Sequence, residues 1–275
     1  RDFWPDSYLE HFPAWSRKVA RILLFREFRK SRYVFSNTPN LVAMSQGVLE
    51  WALERGGKKN DDEARVFPIG YPELSRNPES GDHLKNFPFL GQNGLNFIYV
   101  GAFGKTYQYQ SLLNAFKIIS KERGQSIRLI LAGGGGVYKN LVKEVSHDSI
   151  HFTGWLNNSQ LQYVLRNCHV GVVPWASFPG AMPNKVFDYM ANGLAIVSSI
   201  EGEFKNLLEE QKIGAHYRVN NVEELTGRLR FLLDNPEQLD KMRRNSLDLF
   251  RARYTEKIVY SNFADYVEEK AQMQR

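Results

Sequence analysis

The sequence predicts an α/β fold: a parallel sheet covered by helices on both faces. Short apolar runs recur at 96–101, 127–132, 150–153, 170–174 and 195–199, each of strand length and rich in β-branched or aromatic residues. Stretches of helical period separate them. The runs end in glycine or proline, as in VGAFG, LAGGGG, FTGW and VVPWASFPG. Strands that alternate with helices pair in parallel, and such sheets hold ligands at their carboxyl ends.

Taken in order, residues 5–33 have helical texture, with Leu9, Val19, Ile22, Leu23, Phe25 and Phe28 set among cations, and Pro13 divides the stretch in two. Arg17, Lys18, Arg21, Arg26, Arg29, Lys30 and Arg32 make it the most basic part of the chain. Two readings stand open. With Trp15, Phe25 and Phe28 the helix suits an anionic membrane surface, contact falling within residues 15–32. Alternatively its apolar stripe packs on a preceding domain and its cations are solvated.

Residues 41–45 read as a strand, 46–55 as a helix closed by Gly56-Gly57, and 65–71 as the next strand, together one βαβ unit. The polar loop between them carries Asp61-x-Glu63, the letters of a metal-binding pair. No strand precedes it, so it reads as a solvated loop and no metal site is predicted. Residues 72–94, rich in Pro, Gly, Asn and Ser, form the linker.

The strand at 96–101 runs into Gly104-Lys105-Thr106 and a helix at 108–122. Tyr99 occupies the position where a Walker A loop needs its first glycine, so the P-loop reading fails. A glycine turn and Lys105 still suit a diphosphate, against the plainer reading of a surface lysine in a tight turn. After the strand at 127–132 come Gly133, Gly134, Gly135 and Gly136, which miss the G-x-G-x-x-G spacing from every start. A dinucleotide site is therefore not expected.

The strand at 150–153 leads into Gly154, Trp155 and Leu156, and a helix at 158–167 follows. The strand at 170–174 then feeds a loop at 178–182. Pro183 suits the first position of a helix at 184–192, which Gly193 caps. A loop entering a helix there favours an anion. Asn184, Lys185 and Asp188 share a helix face, placing a cation beside the phosphate position and a carboxylate one turn on. Spacing alone serves equally well for a solvated Lys185–Asp188 pair. Beyond the strand at 195–199, Glu203 reads as a helix cap or a sugar contact. A short strand at 214–219 and helices at 222–233, 236–251 and 254–271 complete the chain.

PNKVFDYMANGLAIVSS at 183–199 resembles the PSK-x-x-EY-x-A-x-G-K-P-V-V-A-S signature of bacterial GT-B glycosyltransferases. That is the large retaining group 1, or family 4, type that includes capsule and O-antigen enzymes. RDFWPDS at 1–7 is similar to the family's DLWPES, and GGKKNDDEARVFPIGYPE at 56–73 to its inter-domain passage. FIYVGAFGKT, LILAGGG, IHFTGWL and VGVVPW follow in the family's order, so the resemblance covers nearly the whole chain. One departure is plain. Where many relatives carry two glutamates as E-x7-E, this chain has Gly180 and Asp188.

The resemblance implies a GT-B type Rossmann-like parallel sheet domain at 95–252, the donor-binding half, with the remnant of a second Rossmann-like domain at 1–71. The helix at 253–275 would cross back to the first domain. The chain starts without Met, inside what the resemblance marks as a longer protein, and is read as an N-terminally truncated piece. The activity implied is metal-independent transfer of a sugar, with retention, from a nucleotide diphosphate (UDP in first place) to a glycan or lipid-linked acceptor. Lys105 and Lys185 would meet the charge on the leaving diphosphate. Gly101, Gly104, Gly133 and Gly134 would turn the backbone beside the nucleotide, and Gly154, Trp155 and Leu156 would hold the base. The backbone of Gly180, Ala181, Met182, Pro183 and Asn184 would face the phosphates, and Asp188 the ribose. Core packing is the alternative for Trp155. No cofactor is implied beyond the nucleotide-sugar co-substrate.

Composition bounds these readings. The chain has 275 residues, 43% of them hydrophobic, enough for sizeable cores. A single cysteine, Cys168, excludes a disulfide framework and suits a reducing cytoplasm, peripheral on the inner face of the membrane if the basic helix binds there. No apolar run approaches the ~20 residues of a membrane span. A net charge of +6 suits nucleotide phosphates, anionic lipid or nucleic acid. Nucleic-acid binding rests on charge alone and is not expected. The competing class is a nucleotide-sugar-binding subunit or fragment without turnover.

Overall fold

The computed structural model describes residues 3–9, 11–58, 63–73, 86–104, 106–177, 180 and 182–273. Lys105, Ala181, Asp61 and most of the 72–94 linker lie outside the described residues. The chain divides into two compact units, one of Arg1–Ile69, Phe178–Met182 and Ser261–Arg275, the other of Gly70–Ser177 and Pro183–Tyr260.

The first unit holds helices α1 (Asp6–Leu9), α2 (Arg17–Leu23), α3 (Phe25–Asn37) and α4 (Gln46–Gly56) and a two-stranded parallel sheet, β1 (Val42–Ala43) with β2 (Arg65–Val66). The predicted βαβ unit is present with shorter strands. Ser45 caps α4 by accepting from Val48 N, and Gly57 ends it in the left-handed conformation. Leu41, Ala43, Val48 and Leu49 form its small core. The basic stretch breaks at Leu24 as well as near Pro13.

In the second unit six parallel strands lie in the order β5-β4-β3-β6-β7-β8: β3 (Leu95–Val100), β4 (Ile127–Ala132), β5 (Ile150–Gly154), β6 (Val170–Val173), β7 (Ala195–Ser198) and β8 (Gly214–His216). Successive strands run outward from β3 on one side and from β6 on the other, so the order reverses between these two. That reversal opens a crevice above their carboxyl ends. Helices α5 (Tyr109–Arg123), α6 (Tyr138–Glu144), α7 (Asn158–Arg166), α8 (Lys185–Ala191), α9 (Glu203–Glu210), α10 (Val222–Asp234) and α11 (Pro236–Arg253) cover the sheet, and α12 (Glu256–Met273) ends the chain. Helix α6 has no counterpart in the sequence reading. Its seven residues, after four glycines, are too few to show a period.

Phe97, Leu129, Leu131, Val170 and Val172 pack with Leu112, Leu113, Phe116 and Ile119 of α5 in one core. Each such buried side chain contributes about 1.5–3 kcal/mol. Helix α7 begins with a reciprocal cap. Asn157 Oδ1 accepts from Gln160 N at 2.9 Å, and Gln160 Oε1 accepts from Asn157 N at 3.1 Å.

A lysine cage at the strand reversal

Helix α8 lies after β6, beside the crevice, and begins later than the sequence suggests. Asn184 is exposed and stands at the helix cap with helical backbone angles, and its carbonyl accepts from Phe187 N at 3.0 Å and from Asp188 N at 3.4 Å, so it keeps the helical spacing to Lys185 and Asp188. Helix α8 has seven residues, and the charge beside the crevice comes from a side chain rather than from a long helix dipole. Lys185 and Tyr189 are four apart and point to the same side. Tyr189 lies flat on β6, where a side chain at Gly171 would reach within 2.2 Å of its ring, and its hydroxyl accepts from Val100 N at 3.0 Å. Gly171 is therefore the opening that lets α8 sit down on the sheet.

That seat drives Lys185 inward. It is 7% exposed, and its Nζ stands 4.0 Å from the centre of the Tyr99 ring and 3.8 Å from that of Tyr107. Nζ makes no hydrogen bond among the described residues. Two ring faces attract a cation, but burial without a counter-charge outweighs them and lowers the amine well below the usual lysine range. A methyl group at Gly101 would lie 3.1 Å from Nζ, so the amine reaches the turn after β3. The cage is itself fixed. The Tyr99 and Tyr109 hydroxyls lie 3.0 Å apart and reach the Ala102 carbonyl at 2.9 and 3.0 Å.

Asp188 takes a different environment. Its Oδ2 accepts from the Tyr71 hydroxyl at 3.0 Å, and burial raises its carboxyl to about 6, a rise that this hydrogen bond moderates. A solvated Lys185–Asp188 pair is thus corrected: one member is buried without a hydrogen bond among the described residues, the other is held by a tyrosine.

The glycine turns after β3, β4 and β5 are laced by backbone hydrogen bonds. Gly101 N donates to Ala132 O, Phe103 N to Gly134 O, and Gly133 N to Gly154 O, at 2.8–2.9 Å. Gly133 has φ +132°, and a side chain there would meet Gly101 O at 2.0 Å. Gly104 is open, with nothing within 4 Å of an added methyl group. Trp155 is 70% exposed, which removes core packing as its role, and its indole edge lies over Gly134. Leu156 is half-buried. Gly180 and Met182 belong to the first unit, where Ser45 Oγ donates to Gly180 O at 2.9 Å. Pro183 stays with α8 and its carbonyl accepts from Val186 N at 3.0 Å. Of the Asp61-x-Glu63 pair, Asp61 lies outside the described residues and Glu63 pairs with Lys270. Tyr71, Tyr99 and Tyr107 are the residues that sequence reasoning missed. Their one trace is the cluster Tyr99, Tyr107 and Tyr109 around a glycine turn.

The fold and the cage define a doubly wound α/β domain with a buried amine at its topological switch point. Residues 84–248 match the family described as glycosyl transferases group 1, and the chain belongs to that family. Comparison with curated protein sequences gives no match. Among solved structures, HepE of Anabaena in complex with UDP is 17% identical, with a TM-score of 0.70 over 94% of this chain and 69% of that one. Sucrose-phosphate synthase of Thermosynechococcus elongatus is 18% identical, with a TM-score of 0.72 over 90% of this chain and 62% of that one. The pneumococcal O-GlcNAc transferase GtfA in complex with UDP and GlcNAc is 15% identical, with a TM-score of 0.67 over 86% and 47%. These likenesses establish the expected GT-B type, Rossmann-like fold.

Proposed function

We propose that the chain binds a UDP-sugar and takes part in transfer of the sugar, with retention and without a metal, to a hydroxyl of a glycan or lipid-linked acceptor in cell-surface polysaccharide synthesis. The observation that carries this is Lys185: a buried amine without a hydrogen bond among the described residues, held at the strand reversal of a glycosyltransferase-family domain. HepE crystallised with UDP-glucose supports the choice of uridine donor. As the bond from the sugar to the diphosphate breaks, negative charge grows on the leaving phosphate, and a preorganised cation lowers that barrier. Lys185, joined by Lys105, supplies the charge. Asp188 takes the ribose hydroxyls, and the turn at Gly154, Trp155 and Leu156 takes the base. The domain at 95–252 is the donor half, and residues 1–71 belong to the acceptor-side half. Calorimetric titration with UDP tests this: micromolar to millimolar affinity that falls in Lys185→Ala supports it, and affinity unmoved by the substitution contradicts it.

A second reading, donor binding without turnover, is favoured by Gly180. A side chain there would come 2.8 Å from Gly47 Cα, so the glutamate that many relatives carry has no room. Transfer activity, assayed against a panel of UDP-sugars, separates the two.

The basic helices suggest a cytoplasmic protein on the inner membrane face. Trp15 is 85% exposed, with Ile22, Leu23 and Phe25 exposed beside it. Arg21, Arg29, Arg32 and Arg55 line a cavity of about 810 Å³ in the first unit. No helix among the described residues is long and apolar enough to cross a membrane. Sedimentation with phosphatidylglycerol vesicles, lost in high salt and absent with phosphatidylcholine, would support surface binding.

A further inference from the structure

Tyr71 stands where the chain enters the second unit, far in sequence from α8, yet it is pinned there at three points. Its N–H donates to Tyr254 O at 2.9 Å, and its carbonyl accepts from Glu256 N at 2.9 Å. Its ring stacks on Phe187, with centroids 5.9 Å apart and planes 22° from parallel, and Phe187 in turn meets the Tyr254 edge at 5.2 Å. Two backbone bonds and a ring stack leave the phenol one direction, toward Asp188. The hydroxyl has no other hydrogen bond among the described residues, and it meets Oδ2 alone. Oδ1 of Asp188 takes no partner from the described residues, and the residue is half-buried.

The carboxylate of an aspartate is one methylene closer to the helix than that of a glutamate, so its reach is short and its orientation matters more. A charge-assisted hydrogen bond on one oxygen fixes the rotation of the group and leaves the second oxygen free to accept. We propose that Tyr71 is the positioning residue for Asp188, holding its carboxylate so that Oδ1 meets the ribose hydroxyls, and that Tyr71 thereby sets how far the site prefers ribo- over deoxyribonucleotide diphosphates. This rests on the reading of Asp188 as the ribose contact. Around Asp188 the charged or titratable neighbours are Tyr71 and, next along α8, Tyr189; Lys185, one turn back, points into its own cage.

The test compares UDP with 2′,3′-dideoxy-UDP in the wild type, Tyr71→Phe, Asp188→Ala and the double variant. Both ligands carry the same diphosphate, so the ratio of their affinities cancels its titration. The wild type should favour UDP by about 10-fold or more, the scale of a hydrogen bond to a charged group. Tyr71→Phe should cut that ratio to about a third or less while leaving the dideoxy ligand's affinity in place. It should also move the loss of preference at low pH upward, because the phenol's hydrogen bond favours the ionised carboxylate. In the Asp188→Ala background Tyr71→Phe should change nothing further. An unchanged ratio in Tyr71→Phe, or an equal loss for both ligands, overturns the role of Tyr71 alone. Equal affinities for the two ligands in the wild type overturn the ribose reading of Asp188 and the role of Tyr71 with it.

Discussion

The Lys185 Nζ stands 3.8 Å from the centre of the Tyr107 ring, inside the protein and with no hydrogen bond among the described residues. A buried polar group left unpaired costs about 1–3 kcal/mol. A phosphate oxygen paired with Nζ would relieve that cost.

Replacing Lys185 by Met, which keeps the length and apolar stem, should move stability and binding in opposite directions. The empty protein should gain about 1–2 kcal/mol, read as a higher melting temperature, because the unpaired amine is gone. UDP affinity should fall by about 1–3 kcal/mol, read by calorimetry. A variant both less stable and unchanged in UDP affinity would remove the site.

The lowered Lys185 amine also predicts a proton balance. Diphosphate restores the charged form, so binding at a pH between the lowered folded value and the ordinary lysine value should take up protons in the wild type and not in Lys185→Met. Titrations in two buffers of different ionisation heat measure this. Stability carries the matching sign. The folded state binds fewer protons at this lysine than the unfolded chain, so stability rises with pH from the lowered folded pKa up to the ordinary lysine value. Asp188 acts the other way: its carboxyl is raised to about 6, so stability falls as pH rises from the ordinary aspartate range through about 6.

Gly133→Ala should be severe. At φ +132° and 2.0 Å from Gly101 O, the added methyl group forces apart the turns after β3 and β4. A loss of about 2–4 kcal/mol in denaturant unfolding is expected, from backbone strain and the clash together. Gly104→Ala, with nothing within 4 Å, is the matched control and should lie within about 0.5 kcal/mol of wild type.

A metal chelator should leave UDP affinity unchanged, since the proposed positive charge is supplied by lysines. Loss of binding on chelation, restored by a divalent cation, would reopen the acidic loop around Asp61 and Glu63.

Much of this architecture was legible in the chain. The five apolar runs are all strands, because a parallel sheet buried on both faces writes itself as unbroken Val/Ile/Leu. Gly193 closes α8 in the left-handed conformation as its position implies. What the sequence did not show is chiefly tyrosine. Tyr71 and Asp188 are 117 residues apart, and no local pattern joins them. Tyr99 reads as one more apolar strand residue until β3 and β6 set it under Lys185. The state of Lys185 was hidden for the same reason: spacing gives the face it shares, but burial depends on Gly171 admitting Tyr189. Strand ends were overlong at 65–71 and 214–219 because pairing stops when the neighbouring strand does.

The account is tested most directly by a crystal structure of the protein soaked with UDP. It predicts a diphosphate oxygen within about 3.2 Å of Lys185 Nζ, at the mouth of the tyrosine cage. Diphosphate bound elsewhere, with Lys185 still enclosed by Tyr99 and Tyr107 and bonded to nothing, would contradict it.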